Sequence, residues 1–441
     1  MPARVIMRPI LLVACAAACA LSAAPPPPVA APPGEVRALW VARTTLTSPA
    51  AITRMVQSTR ASGFNTLLVQ VRARGDAYYK GGIEPRAESL NGQPAAFDPL
   101  QVTLAEAGRA GLRVHAWISV NLVSSAVGLP VSRSHVIYRH PEWLMVPRGI
   151  AREMHALDPR SPRYLDKLAR TLRQQSADVE GLYLSPIDPA AADYLARVVG
   201  DLVSRYAVDG VHLDYARYPG DDFDYSARAL SLFAADLRRH LTGTDARLLP
   251  QRLAADRFAG VDRFPERWRA FRRERLTALV ERLRAVVKAR RPAAVLSAAV
   301  VPDPADASER RLQDWHAWAT MRAIDVVCPM AYAPDTPAFT AQVDGAQRAA
   351  AGRPVWVGIG AYRLSPAQTI ESIRIARRRG TAGIVLFSYD SLVASSPDRD
   401  PLAQIGRAAF QTADESGTRN PGSPRSPDPR FPIPDPYVLV R

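Results

Sequence analysis

Short apolar runs alternate with longer stretches of helical spacing along most of the chain. Eight runs rich in Val, Ile, Leu and aromatic residues predict strands at 36–42, 66–72, 112–119, 210–214, 294–301, 325–332, 355–359 and 383–389. Continuous hydrophobicity of this kind marks strands buried on both faces. Amphipathic spacing predicts helices between them at 50–62, 99–110, 190–206, 266–290, 308–321, 338–351 and 366–379, and a last one from Pro401. Gly63, Gly111 and Gly380 stand just past helix ends, where a left-handed cap is needed. Strand–helix units repeated in this order predict a (β/α)8 TIM barrel of the α/β class. A doubly wound open sheet is the alternative, but no Gly-rich dinucleotide loop follows the first strand. Two connections are long. One follows strand three, from Val120 to about Ser161; the other follows strand four, from Tyr215 to about Pro265, with its own helix near 227–241. On a barrel both overhang the same open face.

The fourth strand ends on the most distinctive stretch of the chain, YAVDGVHLDYARYP from Tyr206 to Pro219. Side chains alternate along a strand, so His212 and Asp214 share one face, Val211 and Leu213 the other. Catalytic groups of a closed barrel sit at the carboxyl ends of its strands, which makes Asp214 a candidate catalytic carboxylate. Capping the following turn is the plainer role for it. Other strand ends supply companions. Trp40 comes from strand one, and Gln70 and Arg72 share a face of strand two, with Asp76 in the loop beyond. Strand three offers His115, Trp117 and Ser119; Tyr332 and Asp335 close strand six, Tyr389 and Asp390 strand eight. Sugars stack on Trp and Tyr and hydrogen-bond to Asp, Arg, Gln and His, and glycosidic cleavage generally uses two flanking carboxyl groups. This inventory predicts a carbohydrate site. Core packing is the competing role for Trp40 and Trp117, and a satisfied core position the competing role for His212. HExxH, G-x-S-x-G and G-x-x-x-x-G-K patterns are absent, and the seven histidines are scattered, so no metal or cofactor is expected.

Composition adds the setting. At 441 residues the chain is long enough for one large domain with tails or for two smaller ones. Arg4 and Arg8 followed by an apolar 10–24 predict an export signal over 1–24. Leu12-Val13-Ala14-Cys15 resembles a lipobox, which would make Cys15 the lipid-bearing first residue of the mature protein; Cys19 is a weaker candidate, and ordinary cleavage near 22–24 the alternative. A periplasmic protein or outer-membrane lipoprotein is therefore expected, touching the membrane only through that anchor. Residues 25–34 read as a proline-rich linker, 35–412 as the barrel and 413–441 as a disordered proline-rich tail. Outside the signal the only cysteine is Cys328, in an apolar run, which predicts a small core residue rather than a disulfide. The net charge of +15 is carried almost wholly by arginine, and without nucleic-acid motifs it points to anionic envelope polymers rather than to nucleic acid.

An ordered series of segments is similar to one family. Glu35-Val36-Arg37-Ala38-Leu39-Trp40-Val41, Gly63-Phe64-Asn65-Thr66 through Gln70-Val71-Arg72, and Gly75-Asp76-Ala77-Tyr78-Tyr79 open it. Phe97-Asp98-Pro99-Leu100, His115-Ala116-Trp117, Leu184-Ser185-Pro186, 206–214 and 325–332 continue it. Over residues 35 to 410 the chain resembles the family 10 glycosylhydrolase-like proteins, an envelope-associated group. The resemblance implies a barrel hydrolase acting on a glycan, with peptidoglycan strands stripped of their peptides as a substrate of some members. It matches Asp214 to the fourth-strand acid and Arg72 and Asp76 to the second-strand motif. Where many relatives carry a second acid directly after that aspartate, this chain has Tyr215-Ala216-Arg217.

The sequence therefore predicts an exported glycoside hydrolase with Asp214 as its essential carboxylate. Asp390, then Asp335, then Asp76 are the candidate partners. Arg72, His212 and Arg217 are expected to position Asp214 and tune its proton affinity, and Trp40, Trp117, Tyr218 and Tyr332 to form a sugar platform. Gln70 and His115 complete the expected binding set. A carbohydrate-binding barrel without catalysis is the alternative, since a fold does not dictate chemistry; an envelope scaffold using the basic surface is a third.

Overall fold

In the computed structural model, which describes residues 34–175, 179–394 and 400–411, eight parallel strands form one sheet. They are β1 (Val36–Val41), β2 (Thr66–Arg72), β3 (Arg113–Ser119), β4 (Gly210–Asp214), β5 (Val295–Val300), β6 (Val326–Pro329), β7 (Trp356–Ile359) and β8 (Gly383–Phe387). Hydrogen-bonded neighbours run β6-β5-β4-β3-β2-β1-β8-β7. The parallel bridges Val327–Val355 and Met330–Gly358 join the remaining edges, so β6 meets β7 and the barrel closes. The expected signal, linker and C-terminal tail lie outside the described residues.

The outer layer consists of α1 (Pro49–Ala61), α2 (Pro99–Arg109), α3 (Pro189–Arg205), α4 (Pro265–Arg290), α5 (Pro304–Arg310), α6 (Trp315–Thr320), α7 (Thr336–Ala349), α8 (Pro366–Arg378) and α9 (Pro401–Ala409). Their starts explain their positions. Ser48, Asp98, Asp188, Ser365 and Asp400 each accept a hydrogen bond from the first turn and precede a proline, whose fixed φ and missing N–H suit that turn. The one helix expected at 308–321 is two, α5 and α6. They part at Leu312, whose φ is 52°, and at Gln313, whose buried side chain accepts from the Val301 N–H and donates to the carbonyls of Ala299 and Ala216.

Strand register places alternate residues inside the barrel. Trp117 pairs with His212, His212 with Ser297 and Trp40 with Phe387, and the other members of this face include Leu68, Cys328 and Val385. The interior is packed, as such barrels are. Two glycines make room for its largest rings. A Cβ at Gly358 would lie 2.7 Å from the Trp40 indole, and one at Gly210 2.3 Å from the His115 imidazole. Cys328 is buried and free, the small core residue expected.

Strand β2 departs from simple alternation. Gln70 pairs with Trp117, but Arg72 pairs with Ile118, so an irregularity between them turns Arg72 to the outer face. Gln70 and Arg72 therefore do not share a face. The long connections are also more structured than expected. Between β3 and α3, Leu122–Ser124 and Leu182–Tyr183 pair antiparallel, and helices form at Val136–Arg139, Arg148–His155 and Pro162–Gln174. After β4, helices at Gly243–Ala255 and Ala259–Arg263 follow the expected one at Ala227–His240.

Candidate active site

Asp214 ends β4 on the interior face, with 7% of its surface open. Its Oδ1 accepts the Tyr215 backbone N–H at 2.6 Å and an Arg217 guanidinium N–H at 3.2 Å, and its Oδ2 accepts the Trp117 indole N–H at 3.1 Å. The local chain produces this arrangement. Tyr215 has φ of 51°, a left-handed conformation that a bulky residue takes only under constraint. The turn carries Arg217 back over its own aspartate, with the guanidinium 4.1 Å from the centre of the Tyr215 ring. Outside contacts fasten the turn: Gln313 donates to the Ala216 carbonyl at 3.2 Å, and the Tyr218 N–H to the Arg311 carbonyl at 3.0 Å. The break between α5 and α6 thus holds the loop that carries the site.

Burial pushes the Asp214 carboxyl above the usual carboxylate range, and the Arg217 charge with the Tyr215, Trp117 and Arg217 hydrogen bonds offsets this only in part. Oδ1 has two donors and Oδ2 one. A proton held by this acid therefore belongs on Oδ2.

The acidic group that faces Asp214 is Glu180, which sequence reasoning missed. The other end of the Arg217 guanidinium lies 3.6 Å from Glu180 Oε1, and the Tyr183 hydroxyl donates to Glu180 Oε2 at 2.6 Å. Through one guanidinium the nearest oxygens of the two carboxyl groups stand no more than about 9 Å apart, a bound compatible with the separations that glycosidases use. Glu180 lies in the long β3–α3 connection, outside any motif. Its sole mark in the sequence is its place just before the short apolar run 182–184.

The three acids expected as partners are engaged elsewhere. Asp390 Oδ2 accepts the Ala42 N–H at 2.7 Å, and its Oδ1 accepts the hydroxyls of Thr44 and Thr45 at 2.9 and 2.6 Å, so it ties the end of β8 to the loop after β1. Asp335 is exposed and caps α7 through the Ala338 N–H at 2.8 Å. Asp335→Ala is expected to lower unfolding stability by ~1 kcal/mol, measured by chemical denaturation, and to leave glycan turnover unchanged. Asp76 accepts the Arg74 backbone N–H at 2.9 Å in the loop after β2.

Two of the residues expected to tune Asp214 do not touch it. Arg72 is 1% exposed and forms a two-pronged pair with Glu84, at 2.8 and 2.7 Å, behind the barrel wall. His212 lies deeper in the interior, where Nε2 accepts the Trp40 indole N–H at 3.0 Å and Nδ1 faces Ser297 Oγ at 2.9 Å. An acceptor at Nε2 puts the ring proton on Nδ1, and burial pulls His212 down to about 3, so it stays neutral. His115 is likewise pulled down to about 3 by burial and packs against Trp356 at 5.4 Å, below the open face. Arg217 is the one expected tuning residue that contacts the carboxylate.

The sugar platform is also redistributed. Tyr218 is fully buried with its hydroxyl 3.4 Å from the Arg272 carbonyl, away from the opening. Trp40 is 2% exposed and belongs to the interior. Trp117 is nearly as buried but reaches the carboxylate, and Gln70 Oε1 sits near Arg43, with the backbone N–H at 3.4 Å. Tyr332 remains partly open, its ring 5.8 Å from Phe387 and 6.0 Å from Tyr362. Tyr362 is 52% exposed just past β7 and, with Phe387, supplies the open aromatic surface. Neither was singled out from sequence, because one follows a short strand in a turn and the other reads as strand core. Among the described residues no three or more His, Cys, Asp or Glu side chains gather as a metal site would require.

Residues 35–373 match the family model described as glycosyl hydrolase-like 10. The chain belongs to the glycosyl hydrolase-like 10 family. Among curated proteins, the glycosyl hydrolase DigH of Escherichia coli K12 is 30% identical over 164 residues, 36% of this chain and 33% of its own length. The glycosyl hydrolase YngK of Bacillus subtilis is 21% identical over 279 residues, 58% of this chain and 43% of its own length. The chain thus spans less than half the length of either relative. Among solved structures, the PgaB (BpsB) glycoside hydrolase domain of Bordetella bronchiseptica superposes with a TM-score of 0.58 at 14% identity, covering 86% of this chain and all of that domain. That likeness bears out the barrel fold. Within the glycosyl hydrolase-like 10 match lie Trp117, Glu180, Asp214, Arg217 and Tyr362, so the whole acidic site falls in the family region.

Proposed function

We propose that this protein is an exported glycosidase that cleaves glycan strands of the bacterial cell wall, with Asp214 as proton donor and Glu180 as the second carboxylate. One observation carries the reading. A carboxyl group whose proton affinity is raised by burial stands at the end of a barrel strand, and a second carboxylate faces it across a shared guanidinium. In the proposed reaction the Asp214 Oδ2 proton passes to the glycosidic oxygen as its bond to the anomeric carbon breaks. Glu180, which accepts from the Tyr183 hydroxyl and faces the Arg217 guanidinium, supplies negative charge to that carbon or takes a proton from the incoming water. The anomer released distinguishes the two. Tyr332, Phe387 and Tyr362 offer the apolar surface on which a sugar ring stacks. Family membership and the glycosyl hydrolase names of DigH and YngK support the reaction class.

The test is incubation of the purified protein with denuded and peptide-bearing peptidoglycan, with products read by mass. Shortened strands from the denuded glycan are expected; binding without any cleavage overturns catalysis in favour of a carbohydrate-binding barrel. The pH profile adds a sign. Because Asp214 must hold its proton, kcat/KM falls as pH rises through its elevated pKa. Arg217 lowers that pKa. Arg217→Met is therefore expected to move the falling limb to higher pH while also lowering the maximum rate. A limb that stays in place shows that Asp214 is not the titrating acid.

A further inference from the structure

The barrel helices run back from the open face. Their last turns, with the connections at 62–65, 110–112, 206–209, 291–294, 321–325, 350–355 and 379–382, build the opposite pole, where the strands begin. These connections are short, whereas those at 73–98, 120–188 and 215–264 belong to the open face. The amino pole is therefore the flatter end of the barrel. Both ends of the described chain leave from it. Gly34 precedes β1, and past α9 the Phe410 ring packs on Phe64 at 4.8 Å while the Gln411 amide donates to the Ala61 carbonyl at 2.8 Å.

Charge is unevenly matched on this pole. Arg60, Arg290, Arg348 and Arg407 stand exposed in the last turns of α1, α4, α7 and α9. Arg113 is exposed at the first position of β3, and Arg322 just past α6. Among the described residues none of these arginines forms an ion pair. The acids of the same pole are already taken: Glu106 by Arg109, Asp201 by Arg205, Asp344 by Arg379, Glu371 by Arg378, Glu35 by Arg377, and Asp325 by both Arg284 and Lys288. Asp209 is left, exposed, with one oxygen on the Val114 N–H at 2.8 Å. Attraction to the helix dipole accounts for an arginine in a last turn. It does not account for Arg113 and Arg322, which lie outside the helices. Next to Arg322, the apolar side chain of Met321 is 49% exposed.

We propose that the amino pole of the barrel docks on an anionic lipid surface, with these arginines among the headgroups and the acidic pair at the far end, facing away from the membrane. A plane of headgroups meets all the arginines at once, whereas a single polymer strand meets only those along one line. Each arginine near an anionic bilayer adds its own attraction, which fades within a Debye length. Met321 supplies an apolar group to enter the headgroup layer beside them. The course of the chain favours the same orientation, because residues 1–33 join β1 at this pole, so a protein held at a membrane by its N-terminal region brings this pole nearest. A single acyl chain, as the lipobox-like Cys15 would carry, anchors a protein only reversibly; a cationic patch is the second contact that makes anchoring stable. The inference is independent of the glycosidase reading.

The experiment is co-sedimentation of the full-length protein carrying Cys15→Ala and Cys19→Ala, so that no acyl chain is attached. Vesicles are phosphatidylcholine alone or phosphatidylcholine with about one-third phosphatidylglycerol. The anionic vesicles are expected to bind about 10- to 100-fold more tightly than the neutral ones, with the advantage collapsing as salt is raised. Arg60→Gln, Arg113→Gln, Arg322→Gln and Arg348→Gln together are expected to remove most of that advantage, with the circular dichroism unchanged. Arg139→Gln, Arg163→Gln, Arg170→Gln and Arg247→Gln together change the net charge equally, at exposed positions of the two long connections, and should keep it. Arg322→Glu alone, expected to give a smaller loss, decides the matter if the fourfold pole variant does not fold. Equal loss in both fourfold variants overturns the pole in favour of net charge. No preference for anionic vesicles overturns the docking surface outright, and retention on an anionic polysaccharide without vesicle binding overturns it in favour of a polymer.

Discussion

Asp214→Asn is expected to lower the turnover of denuded cell-wall glycan by about two to four orders of magnitude, the usual worth of a positioned general acid. Asparagine keeps the shape of the side chain and can still accept from Tyr215 and Arg217 at Oδ1. It has no proton to give to the leaving oxygen, and its amide turns a donor toward the Trp117 N–H. The fold should survive, since the contact with Trp117 is one hydrogen bond among the interior packing of Trp40, Leu68 and Val385. Circular dichroism and thermal unfolding check this beside the rate. A variant that unfolds says nothing about the acid; one that folds and turns over normally removes Asp214 from the reaction.

Glu84→Ala is expected to destabilise the protein by about 3–5 kcal/mol, read as a lower denaturant midpoint, while the folded fraction keeps its turnover. Arg72 and Glu84 are both essentially sealed from solvent. Glu84 also accepts the Tyr194 hydroxyl of α3 at 3.0 Å, and Arg72 donates to the carbonyls of Ser119 and Val120 at the end of β3. Removing the carboxylate strands a buried guanidinium, which is far costlier than losing the pair as a unit. Arg72→Met combined with Glu84→Met should therefore recover most of the loss. A loss of turnover without a loss of stability would restore Arg72 to the substrate-binding role that its sequence position suggests.

The contrast between these residues shows what the chain reveals by itself. Strand periodicity located all eight barrel strands, because a strand buried on two faces can hardly be anything but continuously apolar, and it put Asp214 at a strand end facing inward. It misplaced Arg72 for one reason: an irregularity after Gln70 reverses the face of every later residue in β2, and nothing in Gln70-Val71-Arg72 announces it. Trp40 and His212 share the face of Asp214 but sit a layer deeper, and depth along a barrel axis is not encoded in alternation. Ranking the second acid by strand ends favoured Asp390, whose carboxylate holds the loop after β1, and Asp335, which caps the helix that follows it. Glu180 is brought in by the long connection between β3 and α3, and such long-range placement leaves no local signature.

Proton transfer from Asp214 to the leaving oxygen is probed with an activated substrate. An aryl glycoside with a highly acidic phenol departs without a proton. The measurement is kcat/KM of Asp214→Asn relative to the unaltered protein on that aryl glycoside and on denuded glycan. Near-normal cleavage of the first and loss of two or more orders of magnitude on the second are expected of a proton donor. Equal loss on both would contradict that role and assign Asp214 another part in the site.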